Sequence, residues 1–390
     1  MPLADEVLAR LLLRGQRAAI KSSLRSVQES FRDRASPYWA LSLDDRDRFH
    51  FRLTAAERAG AVELWWAKQG GEDRPLERVR LRNVGCLANF MGVDTVQSQV
   101  AQAHALLNPW LAGVPRVAEL LTVWGTMKPV RGLTPADTPD VVDALVVLDA
   151  LASRPGEDQI VRALSVSLFA NSKRIEQLAR PLDLLTAESL SAPARHWDEV
   201  FALLGLVKEP QPFLVAGTGS IGLWSDQSCA IVKPFMGVSN KAVRAYVGSP
   251  NWVLTIENLT TFHLASQLLD GRAGLIVFTG GMPSPSWCRA YAFLLKALPV
   301  AVPAYHWGDI DQGGFRIAAY IKEKCLGDRP YLPWLMDTAS LQGPTTPASD
   351  AVSNAMARSA AKAGWVALGQ SMQPFCIEQE GVEVALPPFE

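Results

Sequence analysis

Residues 302–325 read VPAYHWGDIDQGGFRIAAYIKEKC, and this stretch decides the fold of the carboxy-terminal third of the chain. Its apolar start predicts a buried strand, and the residues from Gly313 onward have the spacing of a helix. Asp309 and Asp311 stand between the two, where the strand ends. Residues two apart in an extended segment point to the same side. We therefore expect the two carboxylates to face one small volume.

The same succession of strand and helix occurs twice in the residues just before this stretch. The two pairs are WVLTIE with NLTTFHLASQLLD (residues 252–270) and GLIVFTGG with SPSWCRAYAFLLKAL (residues 274–298). The first strand ends at Glu257, and the second ends in Gly280 and Gly281. Strands that alternate with helices of this length predict a parallel sheet with right-handed crossovers. In such sheets function lies at the carboxyl ends of the strands.

Glu257 shares a volume with Asp309 and Asp311 if the first and third of these strands are neighbours. Three crowded carboxylates repel one another, and either a raised pKa or a bound cation relieves the repulsion. Ligand sets made only of oxygen favour hard cations, so we expect Mg²⁺. Such an ion activates water and neutralises charge on a phosphate oxygen. The pattern predicts metal-dependent phosphoryl chemistry.

Five further residues are candidate neighbours of this site. Gly313 lets a phosphate or a backbone segment approach closely. Gly280 and Gly281 form a turn at the end of the second strand, either beside the site or as a plain strand-end turn. His306 either faces the ion or packs as a structural histidine. Arg316 either contacts a phosphate or is simply solvated.

Residues 151–240 combine helices with strands. The helices are predicted in VRALSVSLFANSKRIEQLARPLDLL (161–185), and the strands, joined by a tight glycine-rich hairpin, in PFLVAGTGSIGLWSDQSCAIVKPF (212–235). Helices followed by a β-wing suit a winged-helix module, with Arg162, Lys173 and Arg174 as candidate DNA contacts. The alternative is a structural helical subdomain whose basic residues are solvated.

The sequence of residues 1–150 predicts a mostly helical domain that also contains some β-strand. Helices are expected at EVLARLLLRG (6–15), LTAAERAGAVELWWAKQGG (53–71) and VVDALVVLDALAS (141–153), and a strand at RDRFHFRL (46–53). The expected fold is therefore α+β with several domains, divided as 1–150, 151–240 and 241–390.

Composition limits the classes of protein to consider. Hydrophobic residues make up 48% of the 390 residues, as in ordinary globular proteins, and no apolar run approaches the about 18 residues of a membrane helix. Asp5 and Glu6 stand where a signal peptide carries positive charge. The five cysteines form no C-x-x-C pair. We expect a cytoplasmic protein, and because the net charge is −1, DNA binding must rest on local basic patches.

A glutamate at the end of the first strand and D-x-D at the end of a later one resemble Toprim domains, which occur in topoisomerases, primases and several nucleases. The segments TIENLTTF (255–262), VFTGGMPS (277–284) and HWGDIDQGGFRI (306–317) are similar to the form found in topoisomerase VI A subunits and in the JetD family. The helical segment at 161–185 also resembles JetD proteins. This family, also called MksG, supplies the nuclease subunit of the Wadjet plasmid-defence systems. The resemblance covers about residues 150–340.

The resemblance implies a winged-helix (CAP-like) module and a carboxy-terminal α/β Toprim domain, paired in a homodimer on double-stranded DNA. Glu257, Asp309 and Asp311 would bind Mg²⁺ or Mn²⁺ and be catalytic. The protein would act with a condensin-like SMC complex, made of an SMC ATPase, a kleisin and a small winged-helix subunit. It would cleave plasmid DNA delivered by that complex.

The tyrosines bear on the mechanism. Topoisomerase VI-like enzymes cut DNA with a tyrosine on the winged-helix module, yet none lies between Ala150 and Tyr246. We therefore predict hydrolysis by metal-activated water. Two alternatives stay open: tyrosine-dependent DNA breakage with a nucleophile from elsewhere in the chain, and a non-catalytic DNA-binding subunit whose acidic site only holds an ion.

Overall fold

The computed structural model describes residues 2–23, 25–69, 74–224, 227–337 and 345–388. The chain is of the mixed α and β class, with several sheets that include parallel strands, as the sequence predicts. No helix within the described ranges is long and apolar enough to cross a membrane.

The α-helices follow one another in chain order. They are α1 (Pro2–Ile20), α2 (Leu43–Arg58), α3 (Val84–Met91), α4 (Val96–Leu107), α5 (Pro115–Gly125), α6 (Thr138–Ala152), α7 (Val161–Phe169), α8 (Arg174–Gln177), α9 (Ala179–Thr186), α10 (Trp197–Leu203), α11 (Leu259–Leu269), α12 (Pro285–Lys296), α13 (Gln312–Ile321), α14 (Asp350–Lys362) and α15 (Val366–Gln370).

The strands are likewise numbered along the chain. They are β1 (Gln28–Ser30), β2 (Val62–Trp66), β3 (Leu76–Leu81), β4 (Gln159–Ile160), β5 (Leu206–Val207), β6 (Pro212–Gly217), β7 (Ser220–Gly222), β8 (Ser228–Ala230), β9 (Met236–Ser239), β10 (Ala245–Val247), β11 (Trp252–Ile256), β12 (Gly274–Phe278), β13 (Ala304–Trp307), β14 (Tyr331–Pro333), β15 (Thr346–Pro347) and β16 (Phe375–Cys376).

The chain divides into two compact units. One consists of Met1–Leu145 with Arg180–Ala194, and the other of Val146–Ala179 with Arg195–Glu390. In the first unit, α1 and α2 accompany a three-stranded antiparallel sheet in the order β1-β3-β2, around a core rich in aromatic side chains. All the metal and DNA candidates from the sequence belong to the second unit.

Two predictions in the first unit are wrong. Residues 46–53 form part of helix α2 and not a strand. Phe49 and Leu53 are buried because they are four residues apart on one helical face, whereas Phe51 between them is 76% exposed. Over so short a run, this spacing of apolar residues therefore fits both the period of a helix and the period of a strand.

The helix predicted at 53–71 is also wrong over most of its length. Helix α2 ends at Arg58, and Gly60 follows with a φ of 72°, a left-handed conformation that ends helices. The run from Val62 to Trp66 pairs with β3 as a strand, which suits its β-branched and aromatic residues. Gly70 and Gly71, the expected end of this helix, lie outside the described residues. The helices predicted at 6–15 and 141–153 are confirmed.

A six-stranded sheet in the order β14-β13-β11-β12-β6-β9 forms the centre of the second unit. Strands β14, β13, β11 and β12 run parallel, joined by the crossover helices α11, α12 and α13. The parallel sheet predicted from the alternating pattern is thus confirmed. All five residues of β11 are buried, as expected for a strand that lies inside a sheet covered on both faces.

Strand β6 pairs antiparallel with β12, and β9 pairs antiparallel with β6 at the edge of this sheet. The tight hairpin predicted around the glycines of residues 212–235 is therefore wrong, because β6 pairs with β12 while β7 pairs with β8 and β10 in a separate sheet. Gly217 ends β6 where a Cβ would lie 2.5 Å from the carbonyl oxygen of Gly274. The glycine there permits close approach of two strands. The hairpin in this region is β7–β8.

Candidate metal centre

Two neighbouring strand ends bring Glu257 and Asp309 together. Strands β11 and β13 are adjacent and parallel, with Ile256 opposite Trp307, and Glu257 follows β11 directly. The Glu257 backbone N–H donates to the Trp307 carbonyl oxygen at 3.1 Å. The Asp309 backbone N–H donates to Glu257 Oε2 at 3.3 Å. The carboxylate of one strand end thus contacts the backbone of the other.

Asp311 lies where helix α13 begins. It is the N-cap of that helix, and its Oδ1 accepts a hydrogen bond from the Gly314 N–H at 2.7 Å. Its charge still acts on the other two carboxylates, since it raises the pKa of both Glu257 and Asp309. A Cβ on Gly314 would collide with the Asp309 carbonyl oxygen, so this glycine lets α13 start directly against the Asp309 backbone.

A second acidic pair reaches the site from residues 376–380, which no motif in the sequence predicts. Ile377 and Ile310 form an antiparallel bridge, with N–H to carbonyl distances of 2.9 and 3.1 Å. Beyond the bridge, Glu378 and Glu380 are exposed and Gln379 between them is buried. Carboxylate oxygens of Asp309, Glu378 and Glu380 all lie within 4.8 Å of one another. This spacing lets one cation contact all three.

Burial and mutual repulsion raise the pKa values of the Glu257 and Asp309 carboxyl groups. Burial, followed by the charges of Asp309 and Asp311, raises the pKa of Glu257 to about 8. Burial also raises the pKa of Asp309 to about 6, against a hydrogen bond from the Gln379 backbone that lowers it. Without a cation, protonation of Glu257 and Asp309 is therefore favoured over ionisation of both carboxyl groups. A divalent cation would reverse that preference.

His306 is buried behind the carboxylates, within the sheet. The Thr255 hydroxyl donates to the Tyr305 carbonyl oxygen at 3.0 Å, so His306 Nδ1–H is the donor to Thr255 Oγ1 at 2.9 Å. That assigns the lone pair to Nε2, which has no hydrogen-bond partner among the described residues. Burial lowers the pKa of His306 to about 3, and the ring is neutral.

Gly308 leaves a small cradle between His306 and the site. A Cβ there would lie 2.6 Å from Glu257 Oε2 and 2.9 Å from His306 Nε2, so any side chain would fill the space. The carboxylate oxygens, the unpartnered nitrogen and the cradle together fit a divalent cation such as Mg²⁺ or Mn²⁺. The sequence left open whether His306 packs or faces the ion, and the structure has its ring packed with Nε2 turned to this cradle.

The predicted glycine turn lies beside the end of β11. The Thr279 backbone N–H donates to the Ile256 carbonyl oxygen at 2.9 Å, and Gly280 and Gly281 follow with φ of 69° and 83°. Only glycine adopts such a pair of left-handed conformations without strain. The turn is thus adjacent to the residue that precedes Glu257.

The other predicted neighbours of the site have local partners. Gly313 is in the first turn of α13, where a Cβ would lie 3.2 Å from Asp311 Oδ1. Arg316 forms an ion pair with Glu199 of α10 at 2.7 Å. Its guanidinium therefore neutralises a buried carboxylate that does not belong to the acidic group.

The three predicted DNA contacts lie on the helices of the second unit. Arg162 is exposed in the first turn of α7, Lys173 is exposed just before α8, and Arg174 begins α8 half-buried. They lie within residues 162–174 and form a local basic group in a protein whose net charge is −1.

Two family models and a curated protein match parts of this chain. Residues 227–385 match the family described as Wadjet protein JetD, C-terminal. Residues 36–186 match the family described as an uncharacterized protein conserved in bacteria, N-term (DUF3322). The Wadjet protein JetD of Bacillus cereus (strain Q1) is 27% identical over 214 residues, which cover 52% of this chain and 50% of that protein. The matched part thus spans about half the length of this curated relative.

Proposed function

This chain belongs to the JetD family, and from that membership we propose that it is the metal-dependent DNA endonuclease subunit of a Wadjet system. The observation that carries the proposal is the meeting of Glu257, Asp309 and Asp311 at adjacent strand ends, joined by Glu378 and Glu380. Burial beside like charges makes ionisation of Glu257 and Asp309 costly unless a cation binds there.

The roles follow from position. Glu257, Asp309 and Asp311, with Glu378 and Glu380 beside Asp309, would hold Mg²⁺ or Mn²⁺ in a Toprim-type site. The bound ion supplies Lewis acidity, which neutralises phosphate charge and lowers the pKa of water. Neutral His306 and Gly308 keep the rear of the site compact, and the Asp309 N–H holds Glu257 Oε2 in place. The products of hydrolysis are a phosphate end and a hydroxyl end.

The proposal extends to partners and place. The helices that carry Arg162, Lys173 and Arg174, with hairpin β7–β8 as a wing, would contact double-stranded DNA as a winged-helix module. Two copies of the chain would straddle the duplex. A condensin-like SMC complex would deliver plasmid DNA to this homodimer in the cytoplasm.

Hydrolysis is favoured over attack by a tyrosine. Tyr246 is the tyrosine nearest in sequence to the proposed DNA-contacting segment, and it is buried in β10 with its hydroxyl donating to the Thr218 carbonyl oxygen at 2.7 Å. Burial raises the pKa of Tyr246 to about 12, which opposes formation of a nucleophilic phenolate.

A plasmid-cleavage assay tests the proposal. We expect the purified protein with Mn²⁺ or Mg²⁺, and with the SMC complex added, to nick or linearise supercoiled plasmid. Glu257→Gln and Asp309→Ala should each lose at least about a hundredfold in rate, since both remove a charged group that binds the ion. Glu209→Gln, an exposed carboxylate change, is the matched control.

Three results would contradict the proposal. One is cleavage that survives both substitutions. Another is a protein covalently attached to the cut DNA, which would indicate the tyrosine-dependent alternative. The third is plasmid binding without cleavage even in the full complex, which would indicate a structural subunit.

A further inference from the structure

Gln379 is a buried amide that lies between the two strand ends of the metal centre. Its side chain is 1% exposed. Its Oε1 accepts from the Asn258 backbone N–H at 2.8 Å, and its Nε2 donates to the Trp307 carbonyl oxygen at 3.0 Å. Its own backbone N–H donates to Asp309 Oδ1 at 2.7 Å. One residue thus bonds to three points around the site.

These three hydrogen bonds lie where the backbone pairing between strands β11 and β13 ends. The last ladder bond between β11 and β13 runs from the Glu257 N–H to the Trp307 carbonyl oxygen. Beyond this bond, the segment after β11 leads into helix α11, and the segment after β13 forms the loop that carries Asp309 and Asp311. Asn258 follows Glu257 directly, so the amide of Gln379 spans the gap that opens between the two carboxylate-bearing segments.

The same residue also sets the direction of its neighbours. Gln379 begins a 3-10 turn (Gln379–Gly381), and its side chain is buried whereas those of Glu378 and Glu380 on either side of it are exposed. Glu380 in turn accepts a hydrogen bond from the Asn258 side chain. Both acidic side chains reach the group around Asp309 because Gln379 is anchored between the strands.

We propose that Gln379 is a positioning residue, which fixes the separation of Glu257 and Asp309 and thereby sets the affinity of the site for a divalent cation. The inference rests on the metal centre of the proposed function. Gln379 acts through its hydrogen bonds to Asn258, Trp307 and Asp309. Residues that orient metal ligands in this way commonly change metal affinity by 10- to 100-fold when replaced.

Removing the amide while keeping its volume isolates this role. Gln379→Met has nearly the same length and keeps the backbone N–H, and the bridge between Ile377 and Ile310 still attaches the segment. We expect Mn²⁺ to bind at least about tenfold more weakly, measured from the EPR signal of free Mn²⁺ during a titration of the full chain. Gln370→Met, at an exposed position of α15, is the control and should bind Mn²⁺ as the wild type does.

A second variant covers the case in which Gln379→Met does not fold. Gln379→Asn keeps the amide but is one methylene shorter, so it can reach at most one of its two backbone partners within hydrogen-bonding distance. We expect it to weaken Mn²⁺ binding less than Met does, with urea unfolding used to verify that the variant is folded. A folded Asn or Met variant with wild-type Mn²⁺ affinity would overturn the positioning role.

The outcomes also separate this inference from the proposed function. If the wild type binds no Mn²⁺, or binds it equally well with Glu257→Gln, the metal centre itself is wrong. If Glu257→Gln abolishes binding while both Gln379 variants leave it unchanged, the centre stands and Gln379 has only a packing role.

Discussion

Glu257 is buried close to the negative charges of Asp309 and Asp311. Its protonation is therefore linked to the stability of the folded chain. Its pKa in the folded chain, about 8, lies far above the ordinary value of 4.5. Below the ordinary value both folded and unfolded chains hold the proton. As pH rises toward 8, the unfolded chain has already released the proton while the folded chain still holds it. The contribution of Glu257 to stability is therefore lost as pH rises through this window.

We predict that the metal-free protein becomes less stable between about pH 5 and pH 8. The slope from Glu257 alone is at most about 1.4 kcal/mol per pH unit. Urea unfolding in the presence of a chelator at several pH values measures the free energy of unfolding. Glu257→Gln should flatten the curve, and Glu209→Gln should not. Equal slopes in the wild type and Glu257→Gln would contradict a buried, repelled carboxyl.

At the scale of the secondary-structure elements, Asp311 has two separable roles. It caps helix α13 through the Gly314 N–H, and it adds charge to the acidic group. Serine keeps the capping oxygen and removes the charge, whereas alanine removes both.

We predict that Asp311→Ala is less stable than Asp311→Ser by about 1 kcal/mol, since only the alanine variant leaves the helix end uncapped. Both variants should lose Mn²⁺-dependent cleavage to a similar degree. Denaturant unfolding of the two metal-free variants measures the difference directly, because each lacks the same charge. Equal stability would mean that the hydrogen bond to Gly314 contributes nothing.

The sequence predicts elements well where pattern and length agree. Strands β11, β12 and β13 with their helices follow from uniform apolar runs between capping residues, and the meeting of Glu257 with Asp309 follows from the parallel order. Residues 46–53 of helix α2 are not predicted as helical because the spacing of Phe49, Phe51 and Leu53 fits both a strand and a helix. Glu378 and Glu380 were missed because nothing local in IEQE indicates pairing with Ile310, although an E-x-E after an apolar run is the same signal as D-x-D.

At the scale of the whole molecule, net charge constrains the proposed binding of DNA. The net charge is −1, so binding of a polyanion depends on small basic groups such as Arg162 and Lys173. Each phosphate contact releases counterions, and the number of contacts is read from the dependence of affinity on salt. A protein with few contacts binds weakly alone and needs DNA to be delivered.

We predict that Arg162→Ala and Lys173→Ala each weaken DNA binding and each lower the salt slope by about one. Fluorescence anisotropy with labelled duplex DNA at several salt concentrations measures both quantities. Arg58→Ala, an exposed arginine at the end of α2, is the matched control and should leave the slope unchanged. An unchanged slope in the Arg162 and Lys173 variants would remove α7 and α8 from the DNA interface.

The bond between Gln379 and Asn258 joins residues 121 positions apart. During synthesis, the strand ends that bear Glu257 and Asp309 leave the ribosome well before the segment that spans them. A nascent chain, or one shortened by a damaged message before residue 376, lacks Glu378, Gln379 and Glu380 and so lacks a finished acidic group. The proposed cation site is therefore assembled from segments far apart in the chain, and its full set of carboxylates is present only after residues 376–380 have been synthesised.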